Sequence, residues 1–150
     1  MADIELTQAE ADALIQLPKI PENKDTWNYP PLGGSISIPL ISTHKREHFL
    51  LDISRGQINL TKGKYQNRSR EVIVLVRLDF GGSPHRNPDG EEIPSPHLHI
   101  YKEGYGHKWA YPISALEFPN IEDIGRTLYD FMKYCNMVEF PIVQMGLFTK

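Results

Sequence analysis

Residues 72–80, Val-Ile-Val-Leu-Val-Arg-Leu-Asp-Phe, constrain the fold more than any other segment. The first five are all apolar and four of them are β-branched, so the segment is a strand that starts buried on both faces. From Val76 onward it alternates, with Val76, Leu78 and Phe80 on one face and Arg77 and Asp79 on the other. Period-two patterns also mark residues 35–40, 48–54, 57–61, 97–101 and 109–113, and Arg55-Gly56 offers a short turn between the second and third of these. Most of the connections are too short for the helical crossover that a parallel pair needs. An antiparallel sheet of five to six strands follows, and a doubly wound sheet with a dinucleotide crevice is excluded. Pro39 assigns its strand to an edge or a strand end, because proline cannot donate to a ladder.

One helix is expected before these strands in the chain and one after, both flanking one face of the sheet. Thr7-Gln8-Ala9-Glu10 has the pattern of a capping box, and the helix it opens runs to about Leu17, with Ala13, Leu14 and Leu17 on one stripe and Pro18 as the stop. Pro18 to Pro31 is expected to be a loop. A second helix starts after Pro119 with Asn120 as N-cap and Glu122 and Asp123 in its first turn. Ile121, Ile124, Leu128, Phe131 or Met132, and Cys135 form its apolar stripe. The tail from Val138 to Phe148 is apolar and expected to be extended. The order of elements gives one α+β domain over residues 1–150.

Composition removes several classes of function. A chain of 150 residues with 40% hydrophobic and 23% charged residues is globular, and no apolar run approaches the ~20 residues that span a bilayer. The lone cysteine, Cys135, lies on an apolar helical stripe and reads as a buried structural residue. The acidic start lacks the basic and apolar regions of a signal peptide, so a cytoplasmic location is expected and no membrane contact.

The net charge of −3 hides an uneven distribution. Residues 53–86 hold seven basic residues against two acids, and all six histidines fall between positions 44 and 107. His97-Leu98-His99-Ile100-Tyr101 alternates strictly. With Leu98 and Ile100 facing the core, His97, His99 and Tyr101 share the other face, and pairing with the 72–80 strand adds Arg77 and Asp79 to one polar patch. The proline-rich loop from Gly81 to Pro96, with its Asn87-Pro88-Asp89-Gly90 turn, would carry His85 and Arg86 over that patch.

Three readings fit the patch. In the first, the protein binds RNA and cleaves it without a metal, as toxin or phage-defence ribonucleases do. His97 and His99 then act as acid and base, Arg77 or Arg68 holds the phosphate, and Tyr101 supports them. Lys64, Tyr65, Arg68, Arg70, His85 and Arg86 contact the substrate, with Tyr65 and Tyr101 as stacking surfaces. That reading expects no cofactor and no metal, and it fails if the two imidazoles are buried and paired to the backbone. In the second, His97, His99 and Glu103, with His107 as a further ligand, hold a divalent ion in a spacing similar to the first cupin motif. Gly90, however, lies one residue too far upstream, and no second motif follows. In the third, the histidines are solvated and the protein is a non-enzymatic binding module for a cognate protein, an antitoxin or inhibitor. Trp27, Tyr29 and Trp109 are then the anchors, and Arg77–Asp79 is a surface pair.

Several segments carry a resemblance: residues 32–40, Tyr65-Gln66-Asn67-Arg68, Pro84 to Gly90, Pro96 to Tyr105 and Tyr134-Cys135-Asn136. Over about residues 30–137 the chain resembles an uncharacterised family of small bacterial proteins known only as a domain of unknown function. The resemblance implies a bacterial, cytoplasmic, single-domain protein and transfers no activity, cofactor or catalytic residue.

Overall fold

The alternation of apolar and polar residues along the strands separates a buried face from a polar one and sets the order of the sheet. The structure, a computed structural model, describes residues 5–58 and 62–146. In chain order the elements are α1 (Gln8–Gln16), β1 (Lys19–Pro21), β2 (Thr26–Asn28), β3 (Ser35–Ser42), β4 (His48–Arg55), β5 (Gly63–Ser69) and β6 (Ile73–Phe80). There follow β7 (His85–Arg86), β8 (Glu92–Ile93), β9 (His97–Ile100), β10 (Ala110–Pro112), α2 (Ile124–Tyr134) and β11 (Ile142–Gln144). Seven strands form one antiparallel sheet in the order β1-β3-β4-β5-β6-β9-β10. Two short pairs stand apart from it, β7 with β8 antiparallel and β11 with β2 parallel. The α+β class is as expected, while the sheet has seven strands rather than five or six.

Both helices contribute to one core with the sheet: Ala11 and Leu14 from α1, Leu128 and Phe131 from α2, and Leu51, Ile53, Tyr65 and Leu78 from the strands. Thr7 closes the capping box, its Oγ1 accepting from Glu10 N while Glu10 Oε1 accepts from Thr7 N. The buried stripe is Ala11 and Leu14, whereas Ala13 faces solvent. Helix α2 begins later than expected, with Asp123 rather than Asn120 as its N-cap. Asp123 accepts from Gly125 N and Arg126 N, while the Asn120 carbonyl takes Asp123 N and the Thr127 hydroxyl. Neither helix is long and apolar enough to cross a membrane.

The expected return strand at residues 57–61 is not formed at Gln57 and Ile58, and its remaining residues, 59–61, lie outside the described part. The return strand is β5, which begins at Gly63 instead of ending there. Its buried face is Tyr65, Asn67 and Ser69, two of them polar, so hydropathy hides it. Gly63 is tied to its place by space: a Cβ there would lie 2.6 Å from Ser54 O and 3.0 Å from Phe80 Cζ. The stretch from Pro18 to Pro31 carries β1 and β2 rather than being only loop. Pro39 stands where the pairing with β1 ends: β1 pairs with Leu40, Ile41 and Ser42, and Pro39 O accepts only from Glu22 N just after β1, so the half of β3 before it is an edge. The tail is extended at β11, and residues 147 and 148 lie outside the described part.

Lys19 ties the two helix ends together. It is fully buried, and its Nζ donates to Ile15 O at 2.8 Å, Leu17 O at 3.0 Å and Cys135 O at 2.8 Å, while lying over the Phe49 ring. Carbonyls at helix C-termini lack intrahelical partners, and one ammonium satisfies three of them here. Burial pushes the Lys19 pKa down to about 8 and the neighbouring Cys135 thiol up to about 12.

Candidate metal centre

Register across β4, β5, β6 and β9 arranges the polar face of the sheet in two rows. One row is Ser54, Lys64, Asp79 and His97, and the other is Asp52, Gln66, Arg77 and His99. The pairing of the two strands inferred from sequence therefore exists, with Asp79 opposite His97 and Arg77 opposite His99. Tyr101 does not join them. Leu75 is an extra residue in β6 where the β5–β6 register shifts, and such a bulge breaks the period of two. Tyr101 N bonds to Leu75 O, and the phenol turns into the core, accepting from Leu6 N at 2.8 Å and donating to Leu6 O at 3.1 Å.

The histidines are not on an open face. His97 is 2% exposed and His99 1%. The loop after β6 covers them, pinned by Asn87, whose amide exchanges two hydrogen bonds with the backbone of Ala110. His85, carried by that loop, packs its ring 4.7 Å from His99 and 5.8 Å from His97, and its Nε2 meets the Lys108 carbonyl at 2.8 Å.

Hydrogen bonding fixes the orientation of both imidazoles. His99 Nδ1 lies 2.8 Å from His107 O, and His97 Nδ1 lies 3.3 Å from Pro94 O. A carbonyl can only accept, so each Nδ1 carries a proton, and Nε2 is the nitrogen of each ring left to serve as a ligand. Both Nε2 atoms lie near Asp79 Oδ2, at 3.3 Å for His97 and 3.4 Å for His99. These separations are longer than the ~2.7–2.9 Å of a charge-assisted N–H···O bond. They match the ~3.4 Å edge of a tetrahedron of ligands about 2.1 Å from a metal ion. The three donor atoms all lie within 4.8 Å of one another.

Arg77 braces the carboxylate from the other side, with Nε 3.0 Å from Oδ1 and Nη2 3.1 Å from Oδ2. Burial opposes the charge on Asp79, and the Arg77 guanidinium beside it favours that charge; the balance holds the carboxyl well below the usual range. Burial, joined by the Arg77 charge, depresses the His99 pKa against the raising effect of Asp79. His107 is depressed for the same two reasons and contributes its carbonyl to His99.

The remaining expected site residues are dispersed. Tyr65 is fully buried, its hydroxyl bonded to Tyr29 and to Ile124 O, so it cannot stack on a base. Tyr29 is 3% exposed and cannot anchor a partner. Arg68 forks onto Asp52, which also accepts from Ser37 and Gln66. Arg70 pairs with Glu47, and Arg86 with Glu92 and Gly90 O. Lys64 is exposed beside Asp79. Glu103 caps α1 by accepting from Gln8 N at 2.7 Å, so the ligand set suggested by spacing is not assembled and Asp79 supplies the carboxylate instead. Strand alternation puts Asp79 in the patch, but spacing alone favours Glu103 as the carboxylate ligand. The proline-rich loop from Gly81 to Pro96, with its turn at 87–90, signals the cover in the sequence, though not how closely it shuts.

The comparisons with known proteins bear on family alone. The model of the family of unknown function DUF6978 matches residues 6–137. The chain belongs to DUF6978. The DUF6978 match takes in α1, the whole seven-stranded sheet and α2, so the Asp79, His97 and His99 cluster lies inside the family's own boundaries. No curated protein sequence and no solved structure matches the chain.

Proposed function

We propose that this protein binds a divalent transition-metal ion through Asp79 Oδ2, His97 Nε2 and His99 Nε2. One observation carries the reading: both Nδ1 protons are spent on backbone carbonyls, so two imidazole lone pairs and a carboxylate oxygen face one another with a cation's spacing between them. Backbone acceptors behind ligating histidines are the usual support of a metal site, because they set tautomer and ring orientation. Two imidazoles and one carboxylate suit zinc, iron, nickel or copper better than magnesium or calcium. Three protein ligands leave a position for water or another ligand, the pattern of catalytic rather than structural zinc sites.

Metal-independent RNA cleavage loses the condition it was given, since both imidazoles are buried with Nδ1 on the backbone. The stacking surfaces that would support RNA binding, Tyr65 and Tyr101, are also inside.

Titration of chelator-treated protein with Zn²⁺ by calorimetry tests the proposal. One ion per chain, with affinity lost in His99→Gln and in Asp79→Asn, is expected. Absence of binding by the folded wild-type protein would reduce the cluster to a buried hydrogen-bond network.

A further inference from the structure

A cavity of roughly 340 Å³ opens beside Asp79, its lining including Lys62, Lys64, Arg55, Ser54 and Ser83. Its size falls at the lower end of small-molecule sites. Lys64 is the residue of β5 directly opposite Asp79, so an exposed ammonium stands next to the proposed metal ligand. Lys62 passes between Gly56 and Gly82: a Cβ on Gly56 would meet its side chain at 3.1 Å, and one on Gly82 would meet its Cε at 3.6 Å. Among the described residues neither lysine makes an ion pair, whereas Arg68, Arg70, Arg77 and Arg86 are each engaged by a carboxylate. These two lysines therefore line one cavity, and Asp79, the proposed carboxylate ligand, lines it with them.

We infer that the cavity receives the phosphate of a small phosphomonoester, with one oxygen on the metal and the others on Lys62 and Lys64. The inference rests on the metal reading and specifies what the open coordination position is for. A phosphomonoester has three terminal oxygens and about two negative charges, so it can bridge a metal and two ammonium groups at once. A carboxylate has two oxygens and one charge and cannot match all three cations. Lysine serves here as a mobile point charge, which suits a phosphate whose other oxygen is fixed by a metal.

Calorimetry with phenyl phosphate as the probe tests this on the full chain, with and without Zn²⁺. Benzoate and a short single-stranded oligoribonucleotide lacking terminal phosphates serve as comparisons. Phenyl phosphate is expected to bind the Zn²⁺-loaded protein at least tenfold more tightly than the metal-free protein, and at least tenfold more tightly than benzoate does. Lys64→Gln, at an exposed position, is expected to lower phenyl phosphate affinity of the Zn²⁺-saturated protein about tenfold. Lys62→Gln is expected to act in the same direction.

If Zn²⁺ binds but phenyl phosphate affinity is indifferent to both lysines, the phosphate site is overturned and the metal reading stands. If Zn²⁺ does not bind, both fall. Lysine-dependent binding of the oligoribonucleotide without binding of phenyl phosphate would assign the lysines to a nucleic-acid backbone and overturn the monoester.

Discussion

Arg77 Nη2 lies 3.0 Å from His99 Nε2. A guanidinium has no acceptor, so this contact requires an unprotonated Nε2 and agrees with the Nδ1 proton given to the His107 carbonyl. In the metal-free protein a long-range ¹⁵N–¹H spectrum is expected to show His99 as the Nδ1–H tautomer at pH 7. A protonated Nε2 at His99 would contradict the arrangement.

The same contact makes Arg77 a competitor for the metal, since its Nη2 touches two of the three ligand atoms. Arg77→Met removes that cation. Metal-free stability is expected to fall by roughly 1–3 kcal/mol, as a half-buried carboxylate loses its partner. Zn²⁺ affinity is expected to rise, and saturating Zn²⁺ to restore the lost stability by mass action. Paired urea titrations with and without Zn²⁺ measure both. A stability loss that Zn²⁺ does not repair would mean that the cluster serves the fold alone.

Much of this centre was legible in the sequence, because a strand's period of two places Arg77 with Asp79 and His97 with His99 on shared faces. Four parts were hidden for physical reasons. Asn67 and Ser69 make the buried face of β5 look like a solvated turn. The bulge at Leu75 moves Tyr101 to the core against simple alternation. The loop over the patch was expected, but the tie that closes it on the imidazoles, from Asn87 to Ala110 23 positions away, was not. Lys19 reads as a surface residue in any hydropathy profile, yet it is fully buried.

Lys19 carries its own prediction. Lys19→Met keeps much of the volume and removes all three donors, leaving Ile15, Leu17 and Cys135 carbonyls without the ammonium. A loss of roughly 2–4 kcal/mol is expected in urea unfolding. A change under about 0.5 kcal/mol, typical of a surface site, would contradict the tie between the two helix ends. Cys135, buried beside it, is expected to resist alkylation until the chain is unfolded.

Acid stability follows from Asp52. Burial opposes its charge, but bonds from Arg68, Ser37 and Gln66 outweigh this and lower its pKa in the folded state. The folded chain therefore binds fewer protons here than the unfolded chain, so this contribution is complete above the unfolded pKa of about 3.9 and is lost as pH falls through the folded value. Urea midpoints are expected to drop less steeply below about pH 4 in Asp52→Asn than in the wild type. Equal slopes would contradict the assignment.

The most direct test of the account is an anomalous difference map from crystals grown with Zn²⁺, recorded on both sides of the zinc edge. The account predicts a peak about 2.0–2.2 Å from Asp79 Oδ2, His97 Nε2 and His99 Nε2, with Arg77 withdrawn from His99. Density that leaves the Arg77 contact to His99 intact, with zinc absent from the cluster or bound elsewhere, would contradict it.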